Sequence, residues 1–184
     1  MDLTKYLKFR PYMKVGDAIT WKGKGLLSYA ISLWTPRTHA SAIFQPVKFE
    51  GEPDRVTLLE AWEGEFNLRG LRKRLETYEG EAYWHQLRPE FDEYREDIGK
   101  YLFTIIGTKY DYEGLLANMF GYVKACDDKL WCSEAVGFSL LQIKLGILEK
   151  YLPNKYLKLL LSKKALRPGG IAQLPVYLAE VRLT

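Results

Sequence analysis

An α+β fold is what this sequence predicts, on three observations. Short runs with the two-residue alternation of β-strands occupy the first half of the chain. Runs with helical spacing of three and four residues come later, and a strand-like run closes the chain. Strands and helices are thus segregated rather than alternating as βαβ units. With 184 residues, 47% of them hydrophobic, a single domain over 1–184 can bury a core without disulfide or metal staples.

The elements follow in order. "GDAITWKG", after Val15, predicts a strand that ends in a glycine turn. "HASAIFQ" is the next strand, with His39, Ser41 and Ile43 on one face and Ala40, Ala42 and Phe44 on the other. A Gly-Glu-Pro-Asp turn leads into "RVTLLEAW", where Val56, Leu58, Glu60 and Trp62 share a face. "EAYWHQLR" predicts a further strand. From Glu90 to Ile106 the apolar residues Phe91, Tyr94, Ile98, Tyr101, Leu102 and Ile105 recur at helical spacing. A second helix is expected from Leu130 to about Leu148. It is apolar on most of its circumference and therefore central, with Asp127 and Asp128 as its caps. In the tail, "KYLKLLLSKK" predicts a short basic helix suited to packing on the core or to facing a membrane surface. A Pro-Gly-Gly turn and a last strand follow it.

Composition excludes several classes. The 27 basic and 23 acidic residues leave a net charge of +4, and their signs alternate, as in "RGLRKRLETYEGE". That pattern predicts solvated faces and no nucleic-acid stripe. No apolar run approaches the roughly 18 residues of a membrane span. The opening "MDLTKYLKFRPYMKVGD" lacks a secretory signal pattern, so the expected location is cytoplasmic, with phage-borne or exported action left open. Two cysteines are too few for a disulfide scaffold. His39, His85, Cys126 and Cys132 lack the paired spacing of a zinc site, so no metal is expected.

Three residues suggest chemistry. A cysteine in the first turn of a buried helix meets the helix dipole and free N–H groups, which lower its pKa and make it nucleophilic. Cys132 has that position, although a buried cysteine can equally be inert packing. His39 opens a strand beside a loop, where an imidazole serves either as a base or as a satisfied structural residue. Glu60 lies among apolar neighbours and needs a partner, which an imidazole would supply. If the register slips, Glu60 faces water and Glu63 or Glu65 become eligible.

The order of the motifs adds a resemblance. "VGDAITW", "THASAIF" and "VTLLEAW" come first, and "GTKYDY" and "WCSEAV" follow. This resembles the NlpC-like cell-wall peptidases of the papain superfamily with their halves exchanged, as in the circularly permuted branch that includes the YiiX-type proteins. "LRPGGIAQLPVYL" looks like the closing block of that branch. The resemblance implies a papain-like fold, circularly permuted, with an antiparallel sheet packed on a central nucleophile-bearing helix. It implies Cys132 as nucleophile, His39 as base and Glu60 as the third residue, with His85 and Gln86 as alternatives. Tyr110 and Trp131 would line the substrate cleft. Trp131 and the pair Ala40-Ser41 depart from the usual pattern, which bears on substrate choice. The implied activity is hydrolysis of an amide bond in peptidoglycan peptides, without metal or organic cofactor. Acyl transfer or lipid hydrolysis of the lecithin:retinol acyltransferase kind is the alternative, and a silent binding module the third. The implied partner is a peptide or acyl substrate; the oligomeric state is left open.

Overall fold

The computed structural model describes residues 3–24, 28, 29, 31, 33, 35–47, 55–111, 129–162 and 166–184. Helix α1 (Thr4–Phe9) precedes strands β1 (Ala18–Gly23), β2 (His39–Val47), β3 (Arg55–Trp62) and β4 (Glu65–Gly70). Then come helix α2 (Leu71–Thr77), β5 (Gly80–His85), helix α3 (Arg95–Thr104) and the short strands β6 (Lys109–Tyr110) and β7 (Lys129–Leu130). Helices α4 (Cys132–Ser139), α5 (Leu145–Tyr151), α6 (Asn154–Leu161) and α7 (Pro168–Ile171) lead to β8 (Val181–Arg182). The architecture is α+β.

The strands form one sheet in the order β7-β6-β4-β3-β2-β1-β5-β8. The expectation of a wholly antiparallel sheet needs correction, because β6 and β7 pair in parallel. Parallel neighbours require a connection of a dozen or more residues, and residues 111–128 supply it.

Alternation along the strands divides the core in two. Ala18, Ala40, Ala42, Leu59 and Phe66 point to one face, where α3, α4, α5, α6 and α7 contribute Ile98, Val136, Leu148, Leu160 and Ile171. Ile19, Trp21, Ile43, Leu58 and Trp84 point to the other, against Tyr6 of α1 and Leu71 and Leu75 of α2. The sheet is covered on both sides.

Three expectations change. The helix expected over Leu130–Leu148 is broken: α4 ends at Ser139, a 3₁₀ turn spans Leu140–Gln142, and Ile143 is extended before α5. A straight helix apolar all round would leave one side in water. The break lets Leu140, Ile143, Leu148 and Leu152 enter one core. The stretch expected as one helix over Glu90–Ile106 is a 3₁₀ segment, Pro89–Tyr94, followed by α3. The Pro-Gly-Gly segment is the start of helix α7, with Pro168 in the first turn, where a missing N–H costs nothing. The basic helix of the tail is α6, which buries Leu157 and Leu160 in the core. Asp127, Asp128, Cys126 and the turn at 51–54 lie outside the described residues. No helix among the described residues is long and apolar enough to cross a membrane.

Candidate active site

His39 is placed by the segment that leads into β2. Thr35 Oγ1 accepts a hydrogen bond from the Gly169 N–H at 3.0 Å. Arg37 makes a two-pronged ion pair with Glu180, at 2.9 and 2.8 Å, and its guanidinium lies 4.0 Å from the centre of the Tyr83 ring. The Thr38 hydroxyl donates to the Trp21 carbonyl at 3.1 Å and accepts from the Gly23 N–H at 3.0 Å. A side chain at position 169 would not fit, since its Cβ would fall 2.5 Å from Thr35 Oγ1 and 2.6 Å from Pro36 Cδ. The closing "RPGG" block and the segment before the histidine are therefore one packed unit.

Cys132 comes from the other side of the junction. Helix α4 packs Ala135 and Val136 into the same core as Ala40 and Ala42 of β2, which brings the N-terminus of α4 to the start of β2. Cys132 is the first residue of α4, a free thiol and 3% exposed. The Tyr110 hydroxyl donates to its sulfur at 3.8 Å, and the His39 imidazole and the Ala40 N–H act on the thiol electrostatically. Burial pushes the thiol pKa up, but these neighbours, His39 first, outweigh burial and leave it below the usual thiol value. Burial likewise pushes His39 down, and the neighbouring Cys132 sulfur and Glu60 carboxylate together raise it to about 9. The two shifts have one common cause: each group favours the charged form of the other.

Glu60 stands behind His39, fully buried, with its Oε2 3.6 Å from His39 Nε2. The Ser41 hydroxyl donates to Oε2 at 3.2 Å and itself accepts from Trp21 Nε1 at 2.9 Å. Arg69 donates to Oε1 at 2.9 Å, and Arg74 Nε lies 3.1 Å from Oε1 and 3.4 Å from Oε2. Burial alone would raise the Glu60 pKa; His39, Arg74 and Arg69 bring it down to about 2. Strand alternation is why Glu60, Ser41 and His39 share a face.

The remaining candidates are placed as follows. Trp131 caps α4 and is itself buried, and its N–H donates to the Glu134 carboxylate at 2.8 Å. Burial raises Glu134 to about 7, the Trp131 N–H opposing it and Asp111 adding to it. His85 belongs to another cluster: its Nε2 is 2.8 Å from Thr20 Oγ1 and 3.8 Å from Glu180. Burial takes His85 down to about 4, with Glu180 opposing and Arg37 assisting. Gln86 accepts from the Leu178 N–H through its backbone carbonyl. Arg69 and Arg74 are absent from the residues expected at the site. Their run reads as solvated charge, yet the two side chains are only 21% and 14% exposed. The available signal was the Leu71–Leu75 spacing, which turns one side of α2 into the core and leaves Arg74 beside it.

No family model matches this chain, and no curated protein does. The crystal structure of metalloprotein yiiX from Escherichia coli O157:H7, DUF1105, is similar over 91% of this chain and 87% of its own, at 20% identity and a TM-score of 0.54. The chain therefore has a YiiX-like fold. That neighbour is named a metalloprotein. Here, among the described residues, no three His, Cys, Asp or Glu side chains are grouped to hold a metal ion. Glu60, the carboxylate beside His39, already serves Arg69, Arg74 and Ser41, so the described residues do not fit a metal centre.

Proposed function

We propose that this chain is a thiol hydrolase of the circularly permuted papain-like kind. In this reading Cys132 forms an acyl-enzyme on an amide of a cell-wall peptide. The observation that carries the proposal is the chain of contacts from Cys132, on the first turn of α4, through His39 to a buried, ionised Glu60. The order along the sequence supports the permutation, since the strands bearing His39 and Glu60 precede the helix bearing Cys132.

The Cys132 thiolate attacks the carbonyl carbon, and the charge moves to the carbonyl oxygen. The Cys132 N–H is one of the first-turn donors that have no acceptor within the helix, so in this reading it donates to that oxygen. When the tetrahedral species collapses, the imidazolium of His39 gives its proton to the leaving amine and the acyl group stays on sulfur. His39, now neutral, takes a proton from water, and the resulting attack releases the acid and restores the thiolate. Glu60 keeps the imidazole oriented and offsets its charge.

Two measurements test this. Iodoacetamide at pH 6 should label Cys132 faster than a simple thiol of pKa about 8.5, and faster than Cys126. With peptidoglycan peptides and water as acceptor, wild type should release a new amine and a new carboxylate together. Cys132→Ala should release neither. Slow Cys132 labelling would overturn the proposal, and acyl transfer to an added amine without hydrolysis would move the chain to the acyltransferase class.

A further inference from the structure

Glu60 is held by more charge than the orientation of one imidazole requires. Arg69 reaches it from β4 and Arg74 from α2, on either side of the strand–helix junction at Gly70. The β3–β4 hairpin sets the first of these. Its two-residue turn, Glu63–Gly64, has both residues at positive φ, 55° and 92°, as the favoured tight hairpin turn demands. The register then sets Asn67 opposite Glu60 and Arg69 opposite Leu58, so Arg69 is the diagonal neighbour of Glu60 on the same face. Arg74 follows Leu71 by three residues, and the burial of Leu71 and Leu75 in the core fixes the rotation of α2.

Both guanidiniums are themselves boxed in by aromatic rings. Arg69 lies 3.8 Å from the centre of the Trp62 ring; Arg74 lies 4.6 Å from that of Tyr78 and 5.0 Å from that of Trp21. Stacking of this kind restricts a long side chain that would otherwise sample many rotamers. The arginines are thus built elements rather than loose surface counter-ions.

We propose that Arg69 and Arg74 are positioning residues that limit the negative charge Glu60 presents to His39. A bare carboxylate at this place would hold the imidazolium too firmly for it to hand a proton to a poor leaving group such as an amine. Two guanidiniums on Glu60 share its charge and keep His39 an effective acid. Ser41 then fixes the oxygen that faces His39, because Trp21 occupies the Ser41 oxygen and leaves its hydroxyl hydrogen for Glu60. The inference deepens the hydrolase reading and rests on it for the role of His39. The contacts themselves are testable without substrate.

The experiment is an NMR titration of the two histidines in isotopically labelled protein, with His39 assigned by its absence from His39→Gln. In Arg69→Gln and Arg74→Gln, each of which leaves the other guanidinium in place, the His39 midpoint should rise by about 0.5 to 1 pH unit. In Arg69→Lys and Arg74→Lys it should return toward wild type. The His85 midpoint should not move. In wild type the Glu60 carboxyl, followed by its carbon shift, should remain ionised to about pH 3, against an ordinary value of 4.5. A His39 midpoint that stays or falls in a folded Gln variant overturns the inference, and so does a Glu60 that titrates at its ordinary value, even if no Gln variant folds. Absence of turnover with an upward shift of His39 would count against the hydrolase reading and leave the charge-sharing intact.

Discussion

A buried sulfur carries charge only where other groups take over the work of water. Around Cys132 that work is divided among His39, the Ala40 N–H and the Tyr110 hydroxyl. The division makes a pH prediction with a definite sign. In the proposed mechanism, acylation needs the thiolate and the imidazolium together. Its rate should rise as pH climbs through the lowered thiol pKa and fall as pH passes about 9, where His39 loses its proton. A stopped-flow acylation profile checks this, and a single rise near the ordinary thiol value would contradict it. Glu60 belongs to the same scale. Glu60→Gln keeps a hydrogen-bonding group of the same shape but removes the charge that helps to raise His39. The descending limb should move to lower pH, and the acylation rate near neutrality should drop by about 10-fold or more, with the fold intact by circular dichroism.

Among the elements, α7 is a short segment far along the chain from His39 that packs on the residues leading into it. The two glycines of the closing block differ sharply. A methyl at Gly169 would meet Thr35 and Pro36 at 2.5 and 2.6 Å, whereas a methyl at Gly170 would meet nothing closer than Leu166 Cβ at 3.9 Å. Gly169→Ala should cost about 1–3 kcal/mol, as overpacking does. It should also lower acylation, because the segment that must yield leads straight into His39. Gly170→Ala should be close to neutral in both respects. Urea unfolding and single-turnover acylation of the two variants provide the comparison, and equal behaviour would argue against the packed unit. Helix α4 makes the complementary point. Its break at Ser139 leaves only eight residues, but its first turn is anchored by the Glu134 carboxylate on the Trp131 N–H. The end that bears Cys132 is therefore the fixed end.

For the whole molecule, the sheet lies between two cores, and one polar hub ties the start of β1, the end of β5 and the start of α3 together. Asp17 is fully buried and accepts from the Lys14 N–H at 3.0 Å, Trp84 Nε1 at 2.9 Å, the Leu87 N–H at 3.0 Å and Arg95 at 2.8 Å. Arg95 in turn donates to the Leu87 carbonyl at 2.8 Å and to Asp92 at 2.6 Å. Removing one partner of such a pair strands the other without water. Asp17→Ala should therefore lose about 3–5 kcal/mol of stability, measured by denaturant unfolding, and Asp17→Asn somewhat less. A loss below about 1 kcal/mol would mean that the hub is no more than a surface ion pair.

Local pattern alone indicated strands within 16–23, 39–45, 55–62 and 81–88, which the structure places at Ala18–Gly23, His39–Val47, Arg55–Trp62 and Gly80–His85, together with the α+β class and the shared face of His39 and Ser41. These were legible because a strand's two-residue period assigns each side chain to a face without reference to distant residues. The placement of Cys132 at a helix start was legible as well, from the change of period near Leu130. Other features were decided by tertiary structure. Arg69 and Arg74 lie in a run of mixed charge whose local pattern resembles any solvated helix, and only the β3–β4 register and the docking of α2 turn them onto Glu60. The break after Ser139 has the same origin, since an all-apolar run does not record which of its sides will find a partner. His85 is the sharpest case. In sequence it stands as the alternative to Glu60, and the pairing of β5 with β1 places it with Thr20 and Glu180. Periodicity carries the face of a side chain. The identity of the residue across from it is set by strand order and helix docking, which depend on contacts between segments far apart in the chain.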